Sequence, residues 1–205
     1  ESQLPHLDLL LAVLILLATG AFLYSADLEK ELPDYEVLNQ YEPPVTTRIH
    51  ASDGALMAEF ARERRLYLPI QAIPPLLQHA FISAEDKNFR THGGIDYLAL
   101  GSAAFSYFEA KLSGRNARAR GASTITQQVA KNFLLTSDRT ADRKIKEAML
   151  SFRMEEAYTK DKILELYLNE IFLGLGSYGV AGASLAYFDK PVGDLDIHEV
   201  AYLAT

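Results

Sequence analysis

Gly121-Ala122-Ser123-Thr124-Ile125-Thr126-Gln127-Gln128, followed by Lys131 and Asn132, gathers small, hydroxyl, amide and basic side chains into twelve residues. Ser123 or Thr124 can cap a helix, and Gln127, three residues after Thr124, completes a capping box. Beyond that start, Gln128, Lys131 and Asn132 fall at i, i+3 and i+4 and share one helical face. A solvated face usually mixes Glu with Lys and a buried face is apolar, so this composition suits a polar, anionic ligand. Taken alone, the segment also reads as a capped surface helix.

Working outward, Glu85-Asp86-Lys87-Asn88-Phe89-Arg90-Thr91-His92-Gly93-Gly94 lies upstream. Downstream come Arg143-Lys144-Ile145-Lys146-Glu147, then Lys162-Ile163-Leu164-Glu165-Leu166-Tyr167-Leu168-Asn169, then Gly179-Val180 with Tyr187-Phe188. In this order the segments resemble the five signature motifs of the peptidoglycan glycosyltransferase domain, found in class A penicillin-binding proteins and in monofunctional transglycosylases. The resemblance covers roughly Val45 to Thr205. It departs from the family pattern at Gly121-Ala122-Ser123, where a second glycine is usual, and at Phe188-Asp189-Lys190, where Phe-Gly-Lys is usual.

The resemblance implies a mainly α, lysozyme-like helical domain with a membrane-facing lobe. It implies polymerisation of lipid II into glycan strands, with inversion at the sugar and release of undecaprenyl diphosphate. Glu85 would then be the general base that activates the 4-hydroxyl of the acceptor. Read from the residues alone, Glu85 sits near a helix C-terminus among apolar neighbours, where dipole and burial would raise its pKa, or it simply ends a helix. Asp86 and His92 are better read as structural than as metal ligands, since their spacing supplies no convincing ligand set.

Arg143 and Glu147 form an ordinary i, i+4 pair on a helix. The resemblance uses them differently: Lys131 and Arg143 hold phosphate oxygens, as ammonium and guanidinium groups do. Glu147 is then a second catalytic carboxylate that orients those cations or helps hold Mg²⁺ or Mn²⁺ at the diphosphate. No cofactor is otherwise evident. Ser123, Thr124, Gln128, Asn132 and Lys144 complete the candidate substrate-binding set, and Lys146 reads as surface. Glu165 and Asn169 read as internal polar partners on a supporting helix. The glycines at 174, 176, 179 and 182 lack the strand–loop–helix context of a phosphate loop, so turns and close packing account for them better.

Leu9 to Ala26 is a run of 18 residues without a charge. At a helical rise it spans roughly 27 Å, enough for a transmembrane signal-anchor over residues 1–26, with a cleaved signal peptide as the alternative. The resemblance implies a single pass through the bacterial cytoplasmic membrane, with the catalytic domain on the extracytoplasmic side. Residues 27–44 are acidic, end in Pro43-Pro44 and read as a linker. The domain is expected over 45–205, opening with a small β-hairpin around a turn at Asp53-Gly54. Pro74-Pro75 starts a helix with Leu76, Leu77, Ala80, Phe81 and Ala84 on one side. Glu199 to Ala204 still reads as helix, which predicts a domain that continues past Thr205. No penicillin-binding transpeptidase motif is present.

With no cysteine, the chain has neither a disulfide framework nor a thiolate site or Cys nucleophile. A net charge of −7 argues against nucleic acid as a partner. The charge is uneven: nine basic residues and only Asp138 and Asp142 fall between Lys111 and Lys146, leaving that stretch at +7 and the remainder at −14. Basic charge gathered on an acidic chain points to a specific anion, a diphosphate or lipid headgroups beside it. The aromatic stretch from Tyr97 to Phe108 suits either core or the bilayer interface. The partners expected are therefore lipid II, the growing glycan strand, the bilayer and other cell-wall synthesis proteins. Two rival functions stay open: a lytic muramidase with Glu85 as general acid, and a non-catalytic, membrane-anchored cell-wall scaffold.

Overall fold

In the computed structural model, which describes residues 4–40, 47–52, 56–60, 64–113, 121–135 and 140–205, the chain is mainly helical. The first helix, α1 (Leu4–Lys30), carries the apolar run, and Leu9–Lys30 is long and apolar enough to cross a membrane. Its last turns, from Tyr24 onward, dock on α5 (Ala141–Ala157). Tyr24 donates to Asp142, Arg153 pairs with Glu29, and Lys146 Nζ stands 2.6 Å from Glu31 Oε2, while Leu28 is buried. A 3-10 turn follows at Tyr35–Gln40. Its Leu38 enters the core, and Tyr158 stacks edge-on against Tyr35 and donates to its carbonyl.

These contacts correct two expectations. Residues 27–40 are packed against the helical domain rather than strung out as a linker, because leucine and tyrosine interspersed among the acids give that stretch an apolar face to bury. Lys146 is not a free surface group: its side chain is 18% exposed and tied to Glu31.

Strand β1 (Thr47–His50) pairs antiparallel with β2 (Leu56–Phe60), with an irregularity in register at Ile49/His50. The turn expected at Asp53-Gly54 lies outside the described residues. A second, two-residue ladder joins β3 (Arg64–Arg65) in parallel to β4 (Ser177–Tyr178).

Pro74 caps α2 (Pro75–Glu85), with Pro75 at the first helical position, where its missing N–H costs nothing. Leu77, Phe81 and Ile82 face the core, whereas Leu76 and Ala84, expected on the same side, point outward. At the centre lies α6 (Lys160–Glu170), buried from Ile163 to Asn169. Helix α4 (Ile125–Leu134) packs on both α5 and α6. Helix α7 (Gly179–Phe188) starts against α6 so closely that a Cβ on Gly179, at φ +74°, would lie 2.6 Å from the Asn169 carbonyl oxygen. That helix ends at Asp189 in the left-handed region, φ 54°, one of the few conformations in which Asp substitutes tolerably for glycine. Asp196 caps α8 (Ile197–Leu203), which closes the core beside α2 and α7.

Helix α3 (Tyr97–Leu112) is different in kind, since none of its residues is buried. Leu98, Phe105, Phe108 and Leu112 are 81%, 72%, 64% and 89% exposed. The basic residues that follow it, Arg115, Arg118 and Arg120, lie outside the described residues.

Candidate active site

Glu85 is the last residue of α2, where the helix turns away through Asp86. The next segment is held down by its own polar groups. The buried Asp86 carboxylate accepts from His92 Nε2 at 2.9 Å and from the Ile125 backbone N–H at 3.0 Å, and Gly94 N–H reaches His92 Nδ1. Asp86 and His92 therefore fasten α2 to the start of α4, the structural role expected of them. Asn88 donates to Asp96, whose other oxygen caps α3 at Ala99. The Ala99 N–H and the Asn88 amide hold the Asp96 carboxyl below its ordinary range.

The capping box forms as the sequence predicts: Thr124 Oγ1 accepts from Gln127 N–H while the Gln127 side chain accepts from Thr124 N–H. Thr124 is also fixed by donating to the Gly94 carbonyl at 2.6 Å. Its hydroxyl is engaged by the fold, while the residue itself lines the cleft beside Glu85. The glycine it holds sits at φ +95°, with space for a Cβ closed by the Ser151 backbone at 3.0 Å.

Two groupings of side chains meet here. In one, Gln128 Nε2 donates to Glu85 Oε2 at 2.9 Å. Gln128 is thus directed at the carboxylate, and Lys131 and Asn132 stand exposed about one turn further along α4. Among the described residues Lys131 makes no ion pair. In the other grouping, Glu147, with a side chain only 3% exposed, lies between Arg143 Nη1 at 3.1 Å and Lys144 Nζ at 2.7 Å. Lys144 Nζ also donates to Ser123 Oγ at 3.0 Å. The Arg143 Nε is buried without an acceptor among the described residues. The Arg143–Glu147 contact has ion-pair distance but poor hydrogen-bond alignment, since Glu147 Oε1 also counts as unbonded.

A cleft of about 330 Å³ is lined by Glu85 and Lys87, by Ala99 and Ser102 of α3, and by Gly121 to Thr124, so it meets the first grouping at Glu85 and the second at Ser123. A second cleft, of about 480 Å³, opens on the other side of Glu85, lined by Phe81, Phe172, Tyr187 and Tyr202. Glu85 belongs to both walls. It is exposed, which corrects the expectation of a buried carboxyl: the apolar neighbours in sequence turn inward to the core and leave the helix end open.

The residues do not fit a metal centre at Glu147. Both of its oxygens face cations, and a divalent ion would have to displace or sit beside two positive charges. Among the described residues no three His, Cys, Asp or Glu side chains converge as a ligand set. The Lys162–Asn169 segment supports the site from behind, as expected. Glu165 takes Lys162, Tyr67 and the Ile70 N–H, and Asn169 brackets Leu68 through both its N–H and its carbonyl. Sequence reasoning missed the Tyr167 hydroxyl. It is buried, has no hydrogen-bond partner among the described residues, and is held well above the usual phenol range by burial and by the nearby charges of Glu85 and Asp86.

Comparison with known proteins places these residues in context. The chain is 51% identical to penicillin-binding protein 1A of Rickettsia felis over 194 residues, 94% of this chain and 24% of that protein. It is 42% identical to penicillin-binding protein 1A of Aquifex aeolicus over 195 residues, 95% of this chain and 26% of that one. To penicillin-binding protein 1A of Escherichia coli it is 41% identical over 198 residues, 96% and 23% of the two chains. The chain thus spans about a quarter of the length of these relatives. The sequence model of the Transglycosylase family matches residues 53–205, the stretch that carries Glu85, both clefts and the cations around Glu147, and the chain belongs to that family.

Proposed function

We propose that this chain is a peptidoglycan glycosyltransferase that polymerises lipid II, with Glu85 as general base. The observation that carries the reading is the shared cleft: one open carboxylate faces a wall whose Ser123 is already bound by a lysine from the cluster around Glu147. The acceptor 4-hydroxyl gives its proton to Glu85 as its oxygen bonds to the donor sugar C1. The C1–oxygen bond to diphosphate breaks on the opposite face, and undecaprenyl diphosphate leaves with the bonding pair. One displacement inverts the sugar and needs no glycosyl-enzyme intermediate.

Lys131, Arg143 and Lys144 supply the positive charge that stabilises the departing diphosphate, and Glu147 orients the latter two. Ser123 and Asn132 add hydrogen bonds at the rim. The helical domain has the lysozyme-like form expected of the family, with the β1–β2 pair as its small hairpin. Among the described residues, helix α1 is the one membrane span, and α3 lies in the interface on the extracytoplasmic side, close to the lipid carrier.

A lytic muramidase has no use for a cluster of cations beside its carboxylate. Incubating the membrane-embedded chain with lipid-linked disaccharide and, separately, with finished glycan tests the reading. Polymer should form from the first and no fragments from the second, and Glu85→Gln should lower turnover by about 10²–10⁴-fold while precursor still binds. Polymer formation by Glu85→Gln at the normal rate refutes the assignment of the base.

A further inference from the structure

His92 is held at both ends. Its ring is bound to the carboxylate of Asp86, the residue after Glu85, and its carbonyl accepts from Lys160 Nζ at 2.6 Å. Lys160, the first residue of α6, also pairs with Glu155 Oε1 at 2.7 Å and stands 4.6 Å over the buried ring of Phe89. Glu155 lies near the end of α5, and its Oε1 accepts in turn from the Thr126 hydroxyl on α4. Thr126 is fully buried, and the Glu155 and Lys160 side chains are 9% and 20% exposed. One carboxylate and one ammonium therefore join α4, α5 and α6 to the loop that follows Glu85. Helices α4 and α5 are also the ones that carry Lys131, Arg143 and Lys144. An apolar pair of like size is often as stable as a shielded ion pair, so stability alone gives little reason for charge at this junction. What the charged pair adds is direction, since Nζ meets a carboxylate on one side and a carbonyl and an aromatic face of the loop on the other.

We propose that Glu155 and Lys160 are positioning residues for the general base: the pair fixes the loop from Asp86 to His92, and through it Glu85, relative to the cations on α4 and α5. The proposal rests on the reading of Glu85 as base. The loop has two other ties to this part of the fold, from Ile125 N–H to Asp86 and from the Thr124 hydroxyl to Gly94, and both attach at the start of α4. Arg90 also pairs with Asp161 of α6, but the two side chains are 44% and 60% exposed, and a pair so open to water holds little. Lys160 is thus the shielded tie from the loop to α5 and α6. Without it the His92 end of the loop is freer to shift, and His92 passes the shift to Asp86 and the end of α2. A displacement of about 1 Å in a reacting group can slow an enzyme about 100-fold.

The test is steady-state polymerisation of lipid-linked disaccharide by the full chain in liposomes, at a temperature where circular dichroism shows each variant folded. Lys160→Met and Glu155→Gln should each lower kcat about 10- to 100-fold, with KM within about threefold of the parent. Glu155→Gln keeps the side chain's shape, so it carries the test even where Lys160→Met does not fold. Lys160→Arg retains a cationic donor for both acceptors and should recover most of the loss. Lys190 makes a similar ion pair with Glu199, away from the loop, and Lys190→Met should keep the parent kcat. Because the pair works through Glu85, adding Glu155→Gln to Glu85→Gln should lower kcat by less than about threefold more. Parent-like kcat in Glu155→Gln overturns the proposal, as does an equal loss in Lys190→Met or a full further loss in the Glu85→Gln background. If instead Glu85→Gln alone retains normal turnover, the reading of the base fails first and is identified as the cause.

Discussion

Replacing Glu147 by glutamine keeps the shape of the side chain and removes the charge between two cations. The cost follows from how the three groups are buried. Glu147 and Arg143 have side chains 3% and 17% exposed, whereas Lys144 is half exposed and can turn to water. The loss therefore falls on one stranded guanidinium, whose Nε already lacks an acceptor. Breaking a buried pair from one side costs about 3–5 kcal/mol, and the free lysine sets the lower end, about 3 kcal/mol. For a chain of this size that is a fall in melting temperature of roughly 6–12 °C. Far-UV circular dichroism in detergent reads it directly, since the chain has no tryptophan to follow. Adding Arg143→Leu removes the stranded charge, so the double variant should recover at least about 1 kcal/mol relative to the sum of the singles. A Glu147→Gln chain that melts within a degree or two of the parent, or a double variant that loses the full sum, refutes the buried-pair account.

Lys131→Ala and Arg143→Ala should each slow polymerisation by the equivalent of about 2–4 kcal/mol of barrier, while Lys30→Ala, remote on the exposed end of α1, should change it little. Equal rates for all three at matched stability would remove the anion clamp. With Glu1 to Ala26 deleted, the remaining chain should still float with liposomes, best with anionic lipid, and Phe105→Ser with Phe108→Ser should weaken that; a chain that stays soluble with every liposome leaves α1 as the only membrane contact. Asp96→Ala should cost about 1 kcal/mol as a lost helix cap. Because the Asp96 carboxyl is held below its unfolded value, its contribution is present above the ordinary carboxylate range and lost as pH falls through the depressed value, so parent and variant melting temperatures should converge in strong acid.

What the sequence made legible was local. The Thr124–Gln127 box, Pro75 at a helix start and the Arg143–Glu147 pair are set by neighbours within four residues, and each forms as read. What it hid was distant. Gln128 reads as one of three equivalent polar groups on a face until folding brings Glu85, 43 residues earlier, within its reach. The acidic stretch after the apolar run looks like tether because its partners, Lys146 and Arg153, lie more than a hundred residues away. Helix α6 shows an amphipathic stripe in sequence, yet it is enclosed on nearly every side, with Glu165 and Asn169 neutralised by contacts no periodicity reveals. The exposure of Glu85 was likewise invisible, since apolar neighbours in the chain say nothing about which way a helix end faces.

The docking of α1 on α5 has a consequence for geometry at the bilayer. The helix is continuous from its apolar run to Lys30, and three polar contacts fix its end. At helical rise, Leu9–Lys30 measures about 33 Å against a hydrocarbon thickness near 30 Å, so little is left over as slack. As the proposed membrane span, α1 would then set both the height and the compass bearing of the cleft. One residue inserted in the helix just before Tyr24 would lift the domain by about 1.5 Å and swing it by about 100° around the helix axis. On a loose tether the same insertion would change nothing; here it would turn α3, the helix proposed to lie at the bilayer interface, away from that surface and point the cleft in a new direction.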